Sequence, residues 1–273
     1  MDTTTPIRQA AEILARASNA AASSGAGISA ESGIATFRDV GGVWDRLNPA
    51  EVGTTEGLMC ALEQNAGRFV PFFLELLTAL EEAEPNPGHV ALADLEAMGI
   101  LKTVITQNID NLHQEAGSTT VVEVHGNGFR LRCLSCERTV AHPRKELLRE
   151  TRNSITTLAE YSLSAFIELM PRCDYCGSVM RPDVVMFGES VRALPLAFEA
   201  AANCDVMLAL GTSGVVFPAA NLPYEAKKSG ARVIVVNPHE NAFSRVSDVY
   251  VPMKTGEALP QIVAAVKEIR GVH

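Results

Sequence analysis

The sequence of 273 residues contains few aromatic side chains and no long apolar segment. Aromatic residues make up 5% of the chain, whereas 47% of the residues are hydrophobic, so we expect a core built mainly from aliphatic side chains. No run approaches the roughly 18 apolar residues of a membrane-spanning helix, and the opening Met-Asp-Thr-Thr-Thr does not resemble a secretion signal. We therefore expect a cytoplasmic protein that binds no membrane and forms one large domain, or a domain with an inserted lobe.

The chain also lacks an excess of basic residues. Lysine and arginine number 23 against 32 acidic residues, which gives a formal net charge of -9. A protein that binds the phosphate backbone of nucleic acids usually shows clustered lysine and arginine, so we expect no direct binding of nucleic acids. An acidic surface instead favours solubility or a weak attraction for lysine-rich proteins.

Four of the six cysteines form two C-x-x-C pairs, Cys133 with Cys136 and Cys173 with Cys176. In a reducing compartment this pattern predicts a single structural zinc ion, because four thiolates fill a tetrahedral coordination sphere and leave no position for a catalytic water. A disulfide or redox function is the less favoured alternative. Residues 137–172 exceed the usual spacer of about 15 to 20 residues, so we expect an extra helix near residues 145–150 or 155–170.

The other two cysteines, Cys60 and Cys204, stand alone in apolar surroundings. We expect both to be small buried side chains rather than reactive thiols.

Helical and strand-like patterns alternate along the chain, which predicts an α/β fold with a doubly wound parallel sheet. Asn86 and Pro87 are typical of a helix start. The predicted helices cover residues 6–18, 62–82, 86–99, 194–203, 218–229 and 257–269. The predicted strands cover residues 19–24, 103–106, 121–124, 206–210 and 233–236. In such a sheet the ligand crevice lies beyond the carboxyl ends of the strands.

The segment GAGISAESGIATFR, residues 25–38, follows the first predicted strand. Its first six residues fit the G-x-G-x-x-A pattern of a dinucleotide-binding loop, although such a pattern alone is as often a tight turn. Phe37 and Arg38 follow closely. A dehydrogenase has no evident need for them, whereas a protein that cleaves the nicotinamide bond could use the ring to cover the leaving base and the guanidinium to hold phosphate or ribose.

Polar loops also follow the other predicted strands. They are Gln107-Asn108-Ile109-Asp110, His125-Gly126, Gly211-Thr212-Ser213 and Asn237. Each alone is common as a turn or helix cap, but together they should converge on the crevice that contains the glycine loop. His125 can exchange a proton near neutral pH, although an isolated histidine is more often a surface or fully hydrogen-bonded side chain.

These motifs give the chain a strong resemblance to the sirtuin family of NAD-dependent protein lysine deacylases. The resemblance covers nearly the whole length and includes TQNIDNLHQEAG, HGN, RPDVVMFGE, GTSGVVFPAA and VVNPHE. It implies a Rossmann-like NAD-binding lobe made of residues 1–38, 86–127 and 183–273. A helical module, residues 39–85, and a zinc-binding module, residues 128–182, would form a smaller lobe.

The resemblance also implies a role for each matching residue. His125, Asn108 and Asp110 would be catalytic, with His125 removing a proton from a ribose hydroxyl and Asp110 accepting a hydrogen bond from the nicotinamide amide. The residues that would hold NAD are Gly25, Ala26, Gly27, Phe37, Arg38, Gln107, Asn108, Ile109, Asp110, Gly211, Thr212, Ser213, Asn237 and Thr255. Those that would clamp an extended acyl-lysine peptide are Val185, Met186, Phe187, Gly188, Glu189, Gly214, Val215 and Val216. The products would be free lysine, nicotinamide and O-acyl-ADP-ribose.

The sequence departs from the sirtuin pattern at Ala35, where proline is usual, and at Ser24, where threonine is usual. Residues 71–74, Pro-Phe-Phe-Leu, stand where succinyl-removing members carry Tyr-x-x-Arg. Without that guanidinium a buried acyl carboxylate would lack a partner, so we expect neutral acyl substrates.

Two alternatives share these features. A protein mono-ADP-ribosyltransferase would use the same NAD pocket, and a non-catalytic NAD-sensing or zinc-ribbon module would keep the fold without the reaction. A dehydrogenase is the least favoured, because no acidic residue follows a second strand about 20 residues after the loop.

Overall fold

The computed structural model describes residues 4–36 and 43–272, which form a parallel sheet with helices and a smaller antiparallel sheet. The α-helices are α1 (Thr4–Arg16), α2 (Val43–Arg46), α3 (Pro49–Val52), α4 (Thr55–Glu82), α5 (Pro87–Ala97), α6 (Leu112–Glu115), α7 (Arg144–Thr156), α8 (Leu163–Leu169), α9 (Leu194–Asn203), α10 (Leu222–Lys228) and α11 (Thr255–Arg270). The strands are β1 (Ala20–Ser24), β2 (Leu101–Thr106), β3 (Val121–Glu123), β4 (Gly126–Cys133), β5 (Thr139–Ala141), β6 (Met180–Val184), β7 (Val206–Leu210), β8 (Arg232–Val236) and β9 (Val249–Val251).

The larger sheet has six strands in the order β3-β2-β1-β7-β8-β9, and every pair is parallel. Alternate residues of each central strand belong to two separate cores, as expected for a sheet buried on both faces. Leu208 packs in the core with α1, α5 and α11, whereas its neighbour Met207 packs in the core with α9 and α10. The predicted doubly wound sheet is therefore confirmed, and it gains β9, which the sequence analysis missed.

The long helix α4 begins seven residues earlier than predicted. The Thr54 side chain accepts a hydrogen bond from the backbone N–H of Gly57 at 3.0 Å and so caps the helix. Asn65, with φ -163° and ψ 74°, interrupts the helical geometry. Cys60 is exposed on this helix, so the prediction of a buried thiol was wrong there, whereas Cys204 is buried as expected. The kink at Asn65 separates Cys60 from the turn that holds the buried residues of α4.

The smaller sheet is antiparallel, in the order β5-β4-β6. Cys133 ends β4, and the other three paired cysteines lie in the segments that connect its strands. Its chain leaves and returns side by side, because Gly126 at the start of β4 pairs with Val184 at the end of β6. Both regions suggested for an extra helix are occupied, by α7 and α8. The division of the chain into two lobes with the stated boundaries stays a prediction.

Arg144, at the start of α7, connects this helix to α6 and to the end of α4. Its guanidinium donates to Glu115 at 2.7 and 2.8 Å and to the carbonyl oxygens of Leu80 and Ala83, and its side chain is 1% exposed. Across the described ranges, 4–36 and 43–272, no helix is long and apolar enough to cross a membrane.

Candidate active site

The crevice of the large sheet lies between β1 and β7, where the strand order reverses. The chain runs outward from β1 through β2 to β3 on one side, and from β7 through β8 to β9 on the other. At this switch point the Gly27 backbone N–H donates to the Gly211 carbonyl oxygen at 2.8 Å. A Cβ atom on Gly27 would lie 2.7 Å from that oxygen, and one on Gly25 would lie 2.9 Å from Thr212 Cβ. Both glycines are therefore needed for the close approach of the two loops.

Side chains of the loop after β2 reach across to both of these loops. Gln107 Nε2 donates to Thr212 Oγ1 at 3.1 Å. Asn108 Nδ2 donates to the Gly25 carbonyl oxygen at 3.2 Å and to Ser29 Oγ at 3.0 Å. The structure thus brings together three of the polar loops that the sequence placed at strand ends.

Asp110 is a buried carboxylate in the same loop, 5% exposed. Its oxygens accept from Ser29 Oγ at 2.6 Å and from the Leu112 backbone N–H at 3.0 Å. Burial raises the pKa of Asp110, and the bond from Ser29 opposes that shift. A carboxylate held in this way can accept a further hydrogen bond from a ligand amide.

His125 follows β3 and is oriented by one backbone contact. Its Nδ1 lies 3.0 Å from the Gln107 carbonyl oxygen. A carbonyl oxygen only accepts, so Nδ1 carries the proton and Nε2 of the neutral ring is left as the acceptor. Burial lowers the pKa of His125, which keeps the ring neutral near pH 7. The imidazole can therefore act as a base through Nε2.

Two buried histidines that the sequence analysis missed lie behind these loops. His113 Nε2 is 2.8 Å from Ser24 Oγ, which donates to Thr106 Oγ1 at 3.0 Å. The His89 and His113 rings meet edge to face with centroids 4.9 Å apart. Burial lowers the pKa of His89 to about 4 and that of His113 to about 3, so both rings are neutral at physiological pH.

A sequence signal for His89 was available. Asn86 caps α5, and His89 three residues later accepts from the Asn86 backbone N–H at 3.3 Å, which completes a capping box.

The four paired cysteines meet in one cluster, with their sulfur atoms within 4.8 Å of one another. Cys133 Sγ is 3.4 Å from Cys176 Sγ, and Cys136 Sγ is 3.7 Å from Cys173 Sγ. A tetrahedral zinc ion with Zn–S bonds of about 2.3 Å requires sulfurs about 3.8 Å apart, so the cluster fits one ion.

The two segments predicted to clamp a peptide are held by different elements. The Val185 backbone N–H donates to the His125 carbonyl oxygen at 2.9 Å, and that of Phe187 donates to the Gly53 carbonyl oxygen at 2.8 Å. Glu189 accepts from Arg181 at 2.6 and 2.8 Å. On the other side, Gly214 has φ +72°, and a Cβ atom at this position would lie 2.8 Å from the Phe243 ring.

On the far side of the crevice, Asn237 follows β8 and Thr255 begins α11. Thr255 is 1% exposed, and its hydroxyl has no hydrogen-bond partner within the described part of the chain. Phe37 and Arg38 lie outside the described residues, so their predicted contacts stay predictions.

Comparison with known proteins decides the family. The sequence model of the Sir2 family matches residues 25–218, which include the glycine loop, the loop after β2, His125 and the cysteines. The chain belongs to the Sir2 family.

Curated and solved Sir2 relatives match nearly the full length. An "NAD-dependent protein deacylase" of Desulfosudis oleivorans is 62% identical over 264 residues, covering 97% of each chain. A structure described under "Structural Basis for the Mechanism and Regulation of Sir2 Enzymes" is 44% identical, covers 97% of this chain and 99% of its own, and has a TM-score of 0.79. A Sir2 protein bound to a myristoylated histone peptide is 39% identical, covers 98% of each chain and has a TM-score of 0.72.

The residues of the Sir2 crevice fit a dinucleotide. The buried carboxylate of Asp110 suits a carboxamide, and the unpartnered hydroxyl of Thr255 lies at the start of a 16-residue helix whose N-terminal N–H groups attract polar or anionic groups. The amides of Gln107 and Asn108 contact the two glycine-containing loops, at Thr212 and at Gly25.

Proposed function

We propose that this Sir2 protein is an NAD-dependent protein lysine deacylase that removes neutral acyl groups. The observation that carries the proposal is the His125 imidazole, whose Nδ1 is bonded to Gln107 so that Nε2 is available as a base beside the crevice. The deacylase relative at 62% identity supports the same reaction class.

Bound NAD would supply an electrophilic ribose carbon, once its nicotinamide bond breaks, and would carry the acyl group away as O-acyl-ADP-ribose. We assign its carboxamide to Asp110 and Asn108 and its phosphates to the Gly25–Gly27 and Gly211–Ser213 loops, with its adenosine near Asn237 and Thr255. His125 Nε2 would take the proton of a ribose hydroxyl.

We assign the acyl-lysine peptide to the segments 185–189 and 214–216. Apolar side chains on both remain accessible in the structure, with Phe187 47% exposed and Val215 51% exposed. Hydrogen bonds from the peptide backbone would dominate such a clamp, so we expect loose selection among peptide sequences.

Neutral acyl selectivity is supported by residues 71–74 of α4, which carry no charge. A guanidinium does lie near them, because Arg46 is 5.0 Å from the centroid of the Phe72 ring. Glu75 already engages it with two contacts, of 2.5 and 2.8 Å. An acyl carboxylate would therefore have to compete with Glu75 for this cation.

A panel of acyl-lysine peptides incubated with NAD tests the proposal. We expect acetyl-lysine or longer apolar acyl groups to be removed with formation of O-acyl-ADP-ribose, and succinyl-lysine to react more slowly. His125→Ala should nearly abolish turnover while zinc content is retained. Labelled protein in place of O-acyl-ADP-ribose would instead indicate a mono-ADP-ribosyltransferase, and faster turnover of succinyl-lysine would refute the selectivity.

We further propose that the protein works in the cytoplasm on proteins alone, without binding nucleic acid or membranes. The net charge of -9 and the four cysteines arranged to hold zinc as thiolates support this proposal. Fractionation of cells and a binding assay with duplex DNA and anionic vesicles would test it.

A further inference from the structure

Asn127 lies two residues after His125, at the start of β4, and is 5% exposed. Its side-chain amide makes three hydrogen bonds. Nδ2 donates to Asn111 Oδ1 at 2.9 Å and to Glu123 Oε1 at 2.5 Å, and Oδ1 accepts from the Phe129 backbone N–H at 2.8 Å. The carboxylate can only accept and the backbone N–H can only donate, so the orientation of this amide is fixed by its partners.

Asn111 ends the loop that carries Asn108 and Asp110, and its backbone is left-handed with φ 66°. In the described ranges only one other non-glycine residue, Glu137, has a positive φ. Asparagine adopts this conformation more readily than most other non-glycine residues, and its side chain here is held by its neighbours. The bond from Asn127 holds the Asn111 side chain, and the Gly128 backbone N–H holds the loop at the Ile109 carbonyl oxygen at 2.9 Å.

Glu123 anchors the other side of Asn127. This residue ends β3, and its carboxylate also accepts from Gln114 Nε2 at 2.7 Å and from Arg130 Nη1 at 2.8 Å. His125 therefore lies between two residues, Glu123 and Asn127, whose side chains are bonded to each other. The amide of Asn127 is the side-chain link from Glu123 to Asn111, and it lies between two backbone-mediated links to the same loop, His125 to Gln107 and Gly128 to Ile109.

We propose that Asn127 is a positioning residue that sets the placement of His125 relative to the Gln107–Asp110 loop. This inference rests on the proposed deacylase function. In that function the loop acts when nicotinamide is released and His125 acts when the ribose hydroxyl loses its proton. One amide that ties both elements should therefore affect both steps.

The first experiment compares Asn127→Ala with the wild-type enzyme in two assays, exchange of labelled nicotinamide into NAD and deacylation of an acetyl-lysine peptide. We expect kcat to fall about tenfold to a hundredfold in both, since misplacement by about 1 Å has effects of this size. Asn203→Ala is the matched control, because Asn203 is exposed and donates only to the Glu199 carbonyl oxygen of its own helix. We expect wild-type rates for it.

A double-mutant cycle with Asn111→Gly separates positioning from general destabilisation. Glycine accepts a positive φ but removes the oxygen that Asn127 donates to, so this variant breaks the same bond from the other side. We expect Asn127→Ala to have a clearly smaller effect in the Asn111→Gly background than in the wild type. Urea unfolding at the assay temperature gives the folded fraction of each variant.

A wild-type kcat in folded Asn127→Ala would overturn this inference and leave the proposed function intact. The same holds if the reductions in kcat caused by Asn127→Ala and Asn111→Gly multiply in the double variant, because the two residues would then act independently. Absence of NAD-dependent turnover in the wild-type protein would overturn the proposed function, and the inference with it. If Asn127→Ala does not fold, Asn111→Gly alone decides, because undiminished rates in both assays would then refute the coupling.

Discussion

The buried pair His89 and His113 should make the protein acid-labile well above the range where carboxylates titrate. Burial lowers the pKa of His89 to about 4 and that of His113 to about 3, whereas both titrate near 6.5 in an unfolded chain. Above pH 6.5 both states are neutral and the pair has no effect on the free energy of unfolding. As the pH falls below 6.5, the unfolded state binds protons that the folded state cannot, so stability is lost.

The size of the loss follows from the two pKa values of each ring. Between pH 7 and pH 5, protonation stabilises an unfolded histidine with pKa 6.5 by the equivalent of about 1.4 pH units, and each unit corresponds to about 1.36 kcal/mol. A ring that stays neutral when folded therefore loses roughly 2 kcal/mol of stability over this interval, and the pair roughly 4 kcal/mol. That is a large part of the about 5–15 kcal/mol typical of a folded protein.

Urea unfolding at pH 7 and pH 5 measures this loss for the wild type and for His89→Gln. Glutamine is a good capping-box residue at that position, so helix α5 should keep its start. We expect His89→Gln to lose about 2 kcal/mol less than the wild type on acidification. The zinc thiolates and the carboxylates are the same in both proteins, so their contributions to the loss of stability cancel in the difference. His239→Gln, at an exposed position, should behave as the wild type. An equal loss in the wild type and His89→Gln would refute the reasoning.

Three further predictions concern His125, the zinc ion and Arg144. Because burial lowers the pKa of His125, the acid limb of kcat/KM for an acetyl-lysine peptide should be centred below pH 6.5. An acid limb centred at or above pH 6.5 would contradict this. A strong chelator should release one zinc ion per chain. The backbone amides of residues 126–184 should then exchange hydrogen faster, whereas those of β1 and β7 should keep their protection. Unchanged amide protection in the small sheet would rule out a structural ion. Arg144→Met should reduce the free energy of unfolding by about 3–5 kcal/mol, because Glu115 and two carbonyl oxygens lose the guanidinium that donates to them. The control Lys145→Met, at an exposed position, should cost at most about 1 kcal/mol. Equal small losses for the two variants in urea titrations would show that Arg144 does not anchor this region.

Much of the fold could be predicted from the sequence because its central strands are apolar and its helices carry clear start signals. Val206–Leu210 and the Asn86-Pro87 helix start illustrate both. Shorter or irregular elements could not be placed. The strand β9 has only three residues. The strand β4 begins at Gly126 with φ +79° and has a register shift before Leu131, which obscures its alternation.

Parts of the candidate site could be predicted where a polar loop follows a buried strand, or where a residue type carries its chemistry on its own. Cys133 and its three partners, and His125 after a strand, are of this kind. Contacts that depend on three-dimensional packing left no signal. The carbonyl oxygen of Gln107 fixes the His125 tautomer, and a backbone atom is the same in every residue. The hydrogen bond from Asn127 to Asn111 likewise joins residues sixteen positions apart.

The pairing of Gly126 with Val184 gives the cysteine-bearing segment a single narrow neck. Everything between these two residues enters and leaves at one point on the rim of the parallel sheet. Such a segment is an insertion whose ends are adjacent. Recombination could exchange it between relatives, or lengthen it at the α7–α8 connection, without interrupting a strand of the parallel sheet. The join would fall beside His125 and Val185, so a newly acquired segment would alter the surroundings of these two residues first.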